Sequence, residues 1–219
     1  MDFKELSKER PFIKVSSFNE NKESLLNIPY TIIENIAITY HIMVKTDYDS
    51  MTSIVVTDSI IKKLGINKEK LHNEAVENSM RILPVYVANI KNMIFRNSDR
   101  RKFIHDTSDI REIISEAINE EEVYPLFVVT NKFSVYGASA IFYPGVMEQI
   151  GDSLGNNYFI LPSSIHEMII LPDDGKIESG VLKNIVESVN IEIVDQKDLL
   201  TNDVYYYDID KHLFKTINI

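Results

Sequence analysis

The chain has 219 residues, of which 44% are hydrophobic and 26% are charged, and these proportions are ordinary for a soluble globular protein. Its net charge of −10 argues against a general nucleic-acid binder, because phosphate is repelled at long range. Cysteine is absent, which excludes disulfides, thiolate metal sites and a cysteine nucleophile. No apolar run has the length of a membrane span, and the charged N-terminus lacks the apolar core of a signal peptide, so we expect a cytoplasmic protein.

The first part of the chain carries strand patterns. Residues 12–16 are a candidate short strand. Residues 29–44 alternate apolar and polar side chains with a period of two, which predicts a strand with one buried face. Glu34 interrupts the apolar set and marks a bulge or a strand start. An acidic turn then leads into the apolar run 51–56, so the two runs predict a β-hairpin.

Capping signals place two helices after this hairpin. Thr57 is a candidate N-cap for a short helix that ends before Gly65, where a left-handed backbone suits glycine. Asn67 is a candidate N-cap for the next helix, and Pro84 ends that helix. Residues 85–90 then predict another strand.

Residues 91–106 are the most irregular segment and contain a basic cluster. The cluster consists of Arg96, Arg100, Arg101 and Lys102. A basic loop on an acidic protein is usually a solvated surface; as a binding feature it would suit an acidic protein partner better than nucleic acid. The segment is also the one predicted boundary, so the chain forms either two α+β halves, residues 1–95 and 96–219, or one continuous domain.

The second part of the chain continues with a helix and a hairpin pattern. Asp109 begins the clearest apolar stripe at helical spacing. The apolar runs 125–131 and 135–143 flank a short polar link, which predicts a hairpin. A helix is expected between Pro144 and Gly155, because proline suits the first turn and glycine suits the position after the last turn.

Residues 158–172 form the predicted centre of the C-terminal sheet. Two short apolar runs, each closed by a proline, predict buried strands around a polar corner. The corner holds the densest group of reactive side chains in the chain: Ser163, Ser164, His166 and Glu167. A helix follows, with one apolar face formed by Leu182, Ile185, Val186 and Val189. Short strands at residues 204–207 and 213–217 end the pattern.

This order of elements favours an α+β fold. Strands alternate with helices, and many of the links between strands are short enough for hairpins. We therefore predict largely antiparallel sheet with helices packed on one face, in preference to a doubly wound parallel sheet.

Three blocks of the sequence resemble a known protein family. The blocks are VVTDSIIKKLGINKEKLHNEAVENSMRILP at residues 55–84, PLFVVTNKFSVYGASAIFYPGVMEQIGDSLGNNYFILPSSIHEMIILP at residues 125–172, and VNIEIVDQKDLLTNDVYYYD at residues 189–208. In this order they resemble an uncharacterised clostridial domain family of unknown function, related to bacterial YtpQ-like proteins. Members are often longer at the N-terminus, so we expect a short member or one that lacks a leading segment. The resemblance implies an α+β fold and transfers no site residue, because the family has no established activity.

The polar corner permits two interpretations. The two serines, with His166 and Glu167, supply the nucleophile, base and acid types of a hydrolase, which needs a serine hydroxyl bonded to an oriented histidine. However, no G-x-S-x-G elbow surrounds either serine, and hydroxyls in such short clusters more often cap a turn. Because no H-E-x-x-H motif follows and no glycine-rich phosphate loop exists, we expect neither a metal site nor a cofactor.

The sequence alone does not identify a function. The lack of an assembled catalytic motif favours a bacterial cytoplasmic binding or regulatory module that contacts a protein partner, and favours a non-enzyme over an enzyme. The alternative is a hydrolase-like enzyme that uses the corner at residues 163–167. The sequence leaves the oligomeric state open.

Overall fold

The computed structural model describes residues 11–46, 51–90, 110–119 and 125–217. Within these ranges, ten strands form two sheets, and every pair of neighbouring strands is antiparallel. The same ranges contain five α-helices and one 3₁₀-helix. The predicted α+β class with antiparallel sheet is therefore confirmed.

The first sheet is built around one long strand. Its strands are β1 (Pro11–Ser17), β2 (Tyr30–Ile33), β3 (Ile36–Thr46) and β4 (Met51–Val55). β3 pairs with all of the other three, and its pairing with β4 confirms the predicted hairpin. The single strand predicted over residues 29–44 is divided at Glu34, whose φ of 55° places it in the left-handed region. A left-handed residue cannot continue a strand, so the run forms a hairpin of β2 and β3.

Two helices follow, α1 (Asp58–Leu64) and α2 (Lys68–Ile82). Gly65 has a left-handed φ of 67° after α1, and the Asn67 side chain accepts a hydrogen bond of 2.8 Å from the Lys70 N–H at the start of α2. These two capping predictions are confirmed. Thr57 occupies the N-cap position of α1 with an extended backbone, but its side chain makes no capping hydrogen bond.

The second sheet has six strands in the order β10-β9-β7-β8-β6-β5. They are β5 (Val85–Asn89), β6 (Phe127–Asn131), β7 (Tyr158–Ser164), β8 (Glu167–Pro172), β9 (Tyr205–Asp208) and β10 (Leu213–Thr216). β7 and β8 lie in the middle of this order, so the predicted centre of the C-terminal sheet is confirmed.

The predicted hairpin between the runs 125–131 and 135–143 is wrong. Only the first run forms a strand, β6, while Gly137–Phe142 form a 3₁₀-helix. Both sides of β6 are occupied by β5 and β8, so no pairing edge is left for the second run. The 3₁₀-helix instead packs into the core, where most of its side chains are buried.

Three more helices cover the sheets: α3 (Ile110–Asn119), α4 (Val146–Leu154) and α5 (Ser179–Glu192). α4 ends at Gly155 as predicted. On α5, Leu182 and Val186 are buried but Ile185 is half-exposed, so the predicted apolar face is wrong for Ile185. Asp109, the predicted start of α3, lies outside the described residues.

One hydrophobic core contains side chains from both sheets. It includes Ile13, Ile38 and Tyr40 from the first sheet and Phe127, Tyr158 and Ile170 from the second. A smaller cluster lies between α5 and β7 and contains Phe159, Leu161, Leu182 and Val186. The predicted boundary between residues 95 and 96 lies outside the described residues, and the division into two halves stays a prediction. None of the helices in the described ranges is long and apolar enough to cross a membrane.

Candidate functional site

The candidate corner is the tight turn that joins the two central strands of the second sheet, β7 and β8. The register of this hairpin shifts after Pro162, so that Ser164 pairs with Glu167 across the turn. The turn brings together all four predicted side chains, and each is partly exposed: Ser163, Ser164, His166 and Glu167. The backbone is anchored from β6, because the Thr130 hydroxyl donates a hydrogen bond of 2.8 Å to the carbonyl oxygen of His166.

The two serines are engaged within the turn. The Ser163 hydroxyl donates to Glu167 Oε1 at 3.2 Å, and Ser164 Oγ accepts a hydrogen bond of 3.0 Å from the backbone N–H of His166. The second contact is the hydroxyl-capped turn that short Ser/His clusters commonly form. Within the described residues neither serine is bonded to the His166 ring, which is the contact that a serine nucleophile needs.

The His166 ring is oriented by two partners from distant parts of the chain. Its Nδ1 accepts a hydrogen bond of 3.0 Å from the backbone N–H of Tyr136, and its Nε2 lies 3.5 Å from Asp198 Oδ1. Because Nδ1 is an acceptor, the proton of the neutral ring is on Nε2, facing the carboxylate. The backbone supports this pair, since the Ile165 N–H donates to the Asp198 carbonyl oxygen at 2.8 Å.

Tyr136 extends the corner towards the first sheet. Its φ of 53° is left-handed, a strained conformation for tyrosine, and the hydrogen bond from its N–H to His166 helps to hold it. Its ring centroid lies 5.6 Å from the His166 ring and 3.5 Å from the Nζ atom of Lys14 on β1. The structure therefore connects Lys14, Tyr136, His166 and Asp198, which come from four separate segments of the chain.

The electrostatics of Lys14 are unusual. Burial lowers the pKa of its ammonium group from 10.5 to about 8. Burial, together with the nearby Lys14 charge, lowers the pKa of His41 to about 3, and the His41 ring Nε2 lies 3.0 Å from the Thr39 hydroxyl. At neutral pH His41 is therefore uncharged, and roughly a tenth of the Lys14 amines are neutral at pH 7.

Sequence reasoning missed Lys14, Tyr136 and Asp198. None of them belongs to a motif, and each is separated from His166 by at least one complete element of the fold. The left-handed backbone of Tyr136 has no signature in its residue type, because tyrosine is not a residue that favours this region. Only the packing of the two sheets shows the connection.

The metal site, the other histidines and the basic cluster that the sequence analysis considered provide no second reactive site in the described residues. Within the described ranges no three His, Asp or Glu side chains are grouped as a metal site requires. His72 is bonded to the Tyr40 hydroxyl at 3.0 Å, and that hydroxyl also contacts the Thr31 hydroxyl at 2.6 Å, which forms a structural network. The basic cluster of Arg96, Arg100, Arg101 and Lys102 lies outside the described residues.

A second candidate surface is an exposed stripe along α5 and its N-cap. The stripe consists of side chains at alternating three- and four-residue spacing: Glu178, Val181, Ile185, Ser188 and Glu192. Val181 and Ile185 are 49% and 50% exposed, and a glutamate stands at each end. In the last turn of α5 and at its C-cap, exposed apolar side chains continue at Ile191 (84%) and Ile193 (76%). This α5 stripe lies beside the buried face formed by Leu182 and Val186.

Comparison with known proteins gives one match. A family model described as a family of unknown function (DUF5688) matches residues 1–209. A search of curated proteins and a search of solved structures found no match. The match includes every strand of both sheets except β10, and it assigns no role to any residue of the corner or of the α5 stripe.

Proposed function

We propose that this chain, which belongs to the DUF5688 family of unknown function, is a binding module whose partner is another protein. The observation that carries the proposal is the α5 stripe, where Val181 and Ile185 are half-exposed beside the buried face of the helix. The proposal follows the sequence-based expectation of a module that acts through protein contacts. The cytoplasmic location and the kinship to YtpQ-like proteins stay predictions.

The spacing of the stripe favours recognition of a protein segment. A single exposed apolar side chain is common on any surface and needs no partner. Apolar side chains at three- and four-residue spacing on one side of a helix, however, form the kind of surface that packs against another helix or a groove. Covering one Val or Ile side chain contributes roughly 1–2 kcal/mol, so Val181, Ile185 and their neighbours can anchor a modest interface.

The charged residues at the ends of the stripe indicate which kind of protein segment would bind it. Glu178 and Glu192 are exposed at the two ends of the stripe, and the whole chain carries a net charge of −10. A second copy of the stripe, in either orientation, would place glutamates against glutamates, which disfavours self-association. A partner segment with apolar side chains in its centre and Lys or Arg at both ends would complement both features.

The test compares two variants that change charge at different places on α5 and just beyond it. Val181→Asp/Ile185→Asp disrupts the stripe, whereas Asn184→Asp/Gln196→Glu adds the same charge at exposed positions off the stripe. Tagged wild-type chain and both variants are isolated from the native host, and melting temperatures verify that all three are folded. We expect one protein to copurify at fixed stoichiometry with the wild type and the control but not with the stripe variant.

Two further readouts make the result specific. Carbodiimide should cross-link Glu178 or Glu192 to lysines of that partner, and the affinity should fall with rising salt, because the flanking contacts are ionic. A partner that the stripe variant retains would overturn the proposal. A wild-type chain that dimerises through the stripe, or that is recovered alone under all conditions, would also overturn it.

One observation favours the hydrolase-like alternative. The contact of 3.5 Å between His166 and Asp198 is a histidine–carboxylate pair of the kind that orients a general base. Both ring nitrogens of His166 are engaged, so for this chemistry the Tyr136 N–H would have to leave Nδ1. Ser163 or Ser164 would also have to leave its partner in the turn and donate to that nitrogen. A turnover that His166→Ala abolishes, although the variant is still folded at the assay temperature, would support this alternative; a substitution that unfolds the chain would identify the histidine as structural.

A further inference from the structure

The loop at residues 132–136, which joins β6 to the 3₁₀-helix, is strained at two positions. Ser134 and Tyr136 both have a left-handed backbone, with φ values of 52° and 53°, and neither residue type favours this region. Asn131 at the end of β6 holds the first part of the loop, because its carbonyl accepts from the Ser134 N–H at 2.9 Å and its side chain donates to the Val135 carbonyl at 2.8 Å. The second part depends on contacts of Tyr136, whose carbonyl accepts from the Ser139 hydroxyl at 3.0 Å and whose N–H donates to the His166 ring.

The hydrogen bond from the Tyr136 N–H to His166 Nδ1, at 3.0 Å, exists only while the ring is neutral. The Nδ1 lone pair accepts this bond in the neutral ring, whereas both nitrogens of an imidazolium carry a proton. The orientation of the ring is fixed by its second partner, because a ring turned over would place carbon atoms against the Tyr136 N–H and against Asp198 Oδ1. Protonation would therefore set one N–H group against another at 3.0 Å and leave the Tyr136 N–H without its acceptor.

The same proton strengthens the contact on the other side of the ring. An imidazolium attracts the Asp198 carboxylate, whose Oδ1 lies 3.5 Å from Nε2. Asp198 is fixed to the hairpin, because its carbonyl accepts a hydrogen bond of 2.8 Å from the Ile165 N–H. The protonated ring is therefore held at the hairpin by Asp198, while its contact with the loop is lost.

We propose that the loop at residues 132–136 is a pH-sensitive switch, which is closed on a neutral His166 and opens when this ring takes up a proton. Opening releases Tyr136 from its left-handed backbone and withdraws its ring from Lys14, whose Nζ lies 3.5 Å from the ring centroid in the closed state. A histidine that biases an element with two arrangements is a common basis for a pH sensor. The switch shares no residue with the α5 stripe, so the failure of one proposal does not affect the other.

The other titratable groups around the ring do not change charge in the range in which a histidine does. Histidine ordinarily titrates between about pH 5 and pH 8, whereas carboxyl groups titrate below about pH 5 and ordinary lysines above about pH 9. The pKa of Lys14, about 8, and that of His41, about 3, lie on either side of the interval from pH 5 to pH 7. The groups on the elements around the corner are Lys14 on β1, His41 on β3, Lys132 in the loop, Glu167 on β8, and Asp195, Lys197 and Asp198 after α5.

The experiment follows the ring and the loop together by NMR on the full ¹⁵N-labelled chain between pH 7 and pH 5. The ring ¹⁵N shifts of His166 report its protonation, and hydrogen exchange of the Tyr136 N–H, relative to an unstructured peptide at the same pH, reports the protection of that amide. The Ile165 N–H is the internal control, because it lies in the same corner but donates to the Asp198 carbonyl, which does not titrate. We expect the protection of Tyr136 to fall about tenfold or more, with the same midpoint as the His166 ring, and that of Ile165 to stay constant.

Two variants separate the roles of the two ring contacts. His166→Asn keeps an acceptor for the Tyr136 N–H but cannot take up a proton, so its Tyr136 protection should not change between pH 7 and pH 5. Asp198→Asn removes the charge that attracts the imidazolium, so the midpoint of opening should move to lower pH.

Four results would overturn the switch. They are a Tyr136 protection that stays constant while the His166 ring gains its proton, a ring that is still neutral at pH 5, the same loss of protection in His166→Asn, and a loss of protection that Ile165 shares, since the whole corner would then have unfolded. An unchanged midpoint in Asp198→Asn would overturn the role assigned to that carboxylate.

Discussion

Gly137 offers the sharpest test of how the corner is packed. A Cβ atom at this position would lie 2.0 Å from Thr130 Oγ1, 2.6 Å from the backbone nitrogen of Asn131 and 2.6 Å from the carbonyl oxygen of His166. Two of these three atoms belong to the backbone, so the neighbours cannot move away by rotating a side chain. Gly137→Ala must therefore displace either the 3₁₀-helix or the turn that carries His166.

The expected loss of stability follows from two contributions. Overpacking of a rigid site costs about 1–3 kcal/mol. The Thr130 hydroxyl, which now donates to the His166 carbonyl at 2.8 Å, would lose its partner, and this loss costs a further 1–2 kcal/mol or so. We expect Gly137→Ala to lower the free energy of unfolding by about 2–5 kcal/mol, which corresponds to a decrease in melting temperature of roughly 4–20 °C for a chain of this size.

The assay is urea denaturation at constant pH, with Gly151→Ala as the matched control. A Cβ at Gly151 would lie 2.6 Å from Cγ2 of Ile209, a side-chain methyl group that must shift, while alanine in the interior of α4 gains about 1 kcal/mol in helix propensity. The control should therefore lose no more than about 2 kcal/mol, because the gain in propensity offsets part of an overpacking cost of about 1–3 kcal/mol. Equal stabilities for Gly137→Ala and Gly151→Ala would refute the close approach of the 3₁₀-helix to the corner.

Three further predictions concern capping, the histidine and the lysine. In urea denaturation, Asn67→Ala should lower the free energy of unfolding by about 1 kcal/mol and Thr57→Ala by less than about 0.5 kcal/mol. The reason is that, of these two side chains, only that of Asn67 makes a capping hydrogen bond, and equal losses would contradict it. His166→Ala should lower the free energy of unfolding by about 1–3 kcal/mol, because the Tyr136 N–H loses its hydrogen-bond acceptor. His166→Asn should recover about half of this loss, because its Oδ1 can accept in place of Nδ1; an Asn variant as unstable as the Ala variant would exclude this role of the histidine. The pKa of Lys14 is about 10.5 in the unfolded chain and about 8 in the folded chain, so folding releases a proton between these two pH values. The free energy of unfolding of the wild type, relative to that of Lys14→Met, should therefore rise from pH 8 to pH 10. A difference that stays constant or falls over this range would show that burial does not lower the pKa of Lys14.

Local patterns in the sequence were sufficient to predict many of the strands and helix ends. The period-two pattern correctly identified Ile36 and Tyr40 of β3 as buried, because strand side chains alternate between faces. The prediction of one buried face was wrong for the rest of the pattern, since Ala37 and Thr39 on the opposite face are buried too and Ile32 of β2 is exposed. Gly65 and Asn67 marked helix ends because their preferences act within a few residues. The two apolar runs around the polar corner became the central hairpin for a similar reason, since turn residues and prolines limit the strands from both sides.

Features that depend on the neighbours in space were predicted wrongly or missed. The run 135–143 is apolar because it is buried, and apolarity alone does not distinguish a strand from a buried 3₁₀-helix. Ile185 has the right spacing for the buried face of α5, but the cluster beneath the helix covers only Leu182 and Val186. The corner was located correctly, yet the partners that orient His166 come from other segments and carry no local signal.

The α5 stripe and the polar corner can serve as controls for each other. The segment after α5 is bonded to the corner, because the Ile165 N–H donates to the Asp198 carbonyl oxygen and the Asp198 N–H donates to the carbonyl of Asp195, both at 2.8 Å. The half-exposed side chains of Val181 and Ile185 take no part in these hydrogen bonds, so His166→Ala should destabilise the stripe variant as much as it destabilises the wild type. If the stripe variant changed that loss of stability, it would have disturbed the corner, and its loss of partner binding could not be assigned to the stripe. Only a variant that removes one property and preserves the other assigns that property to its surface.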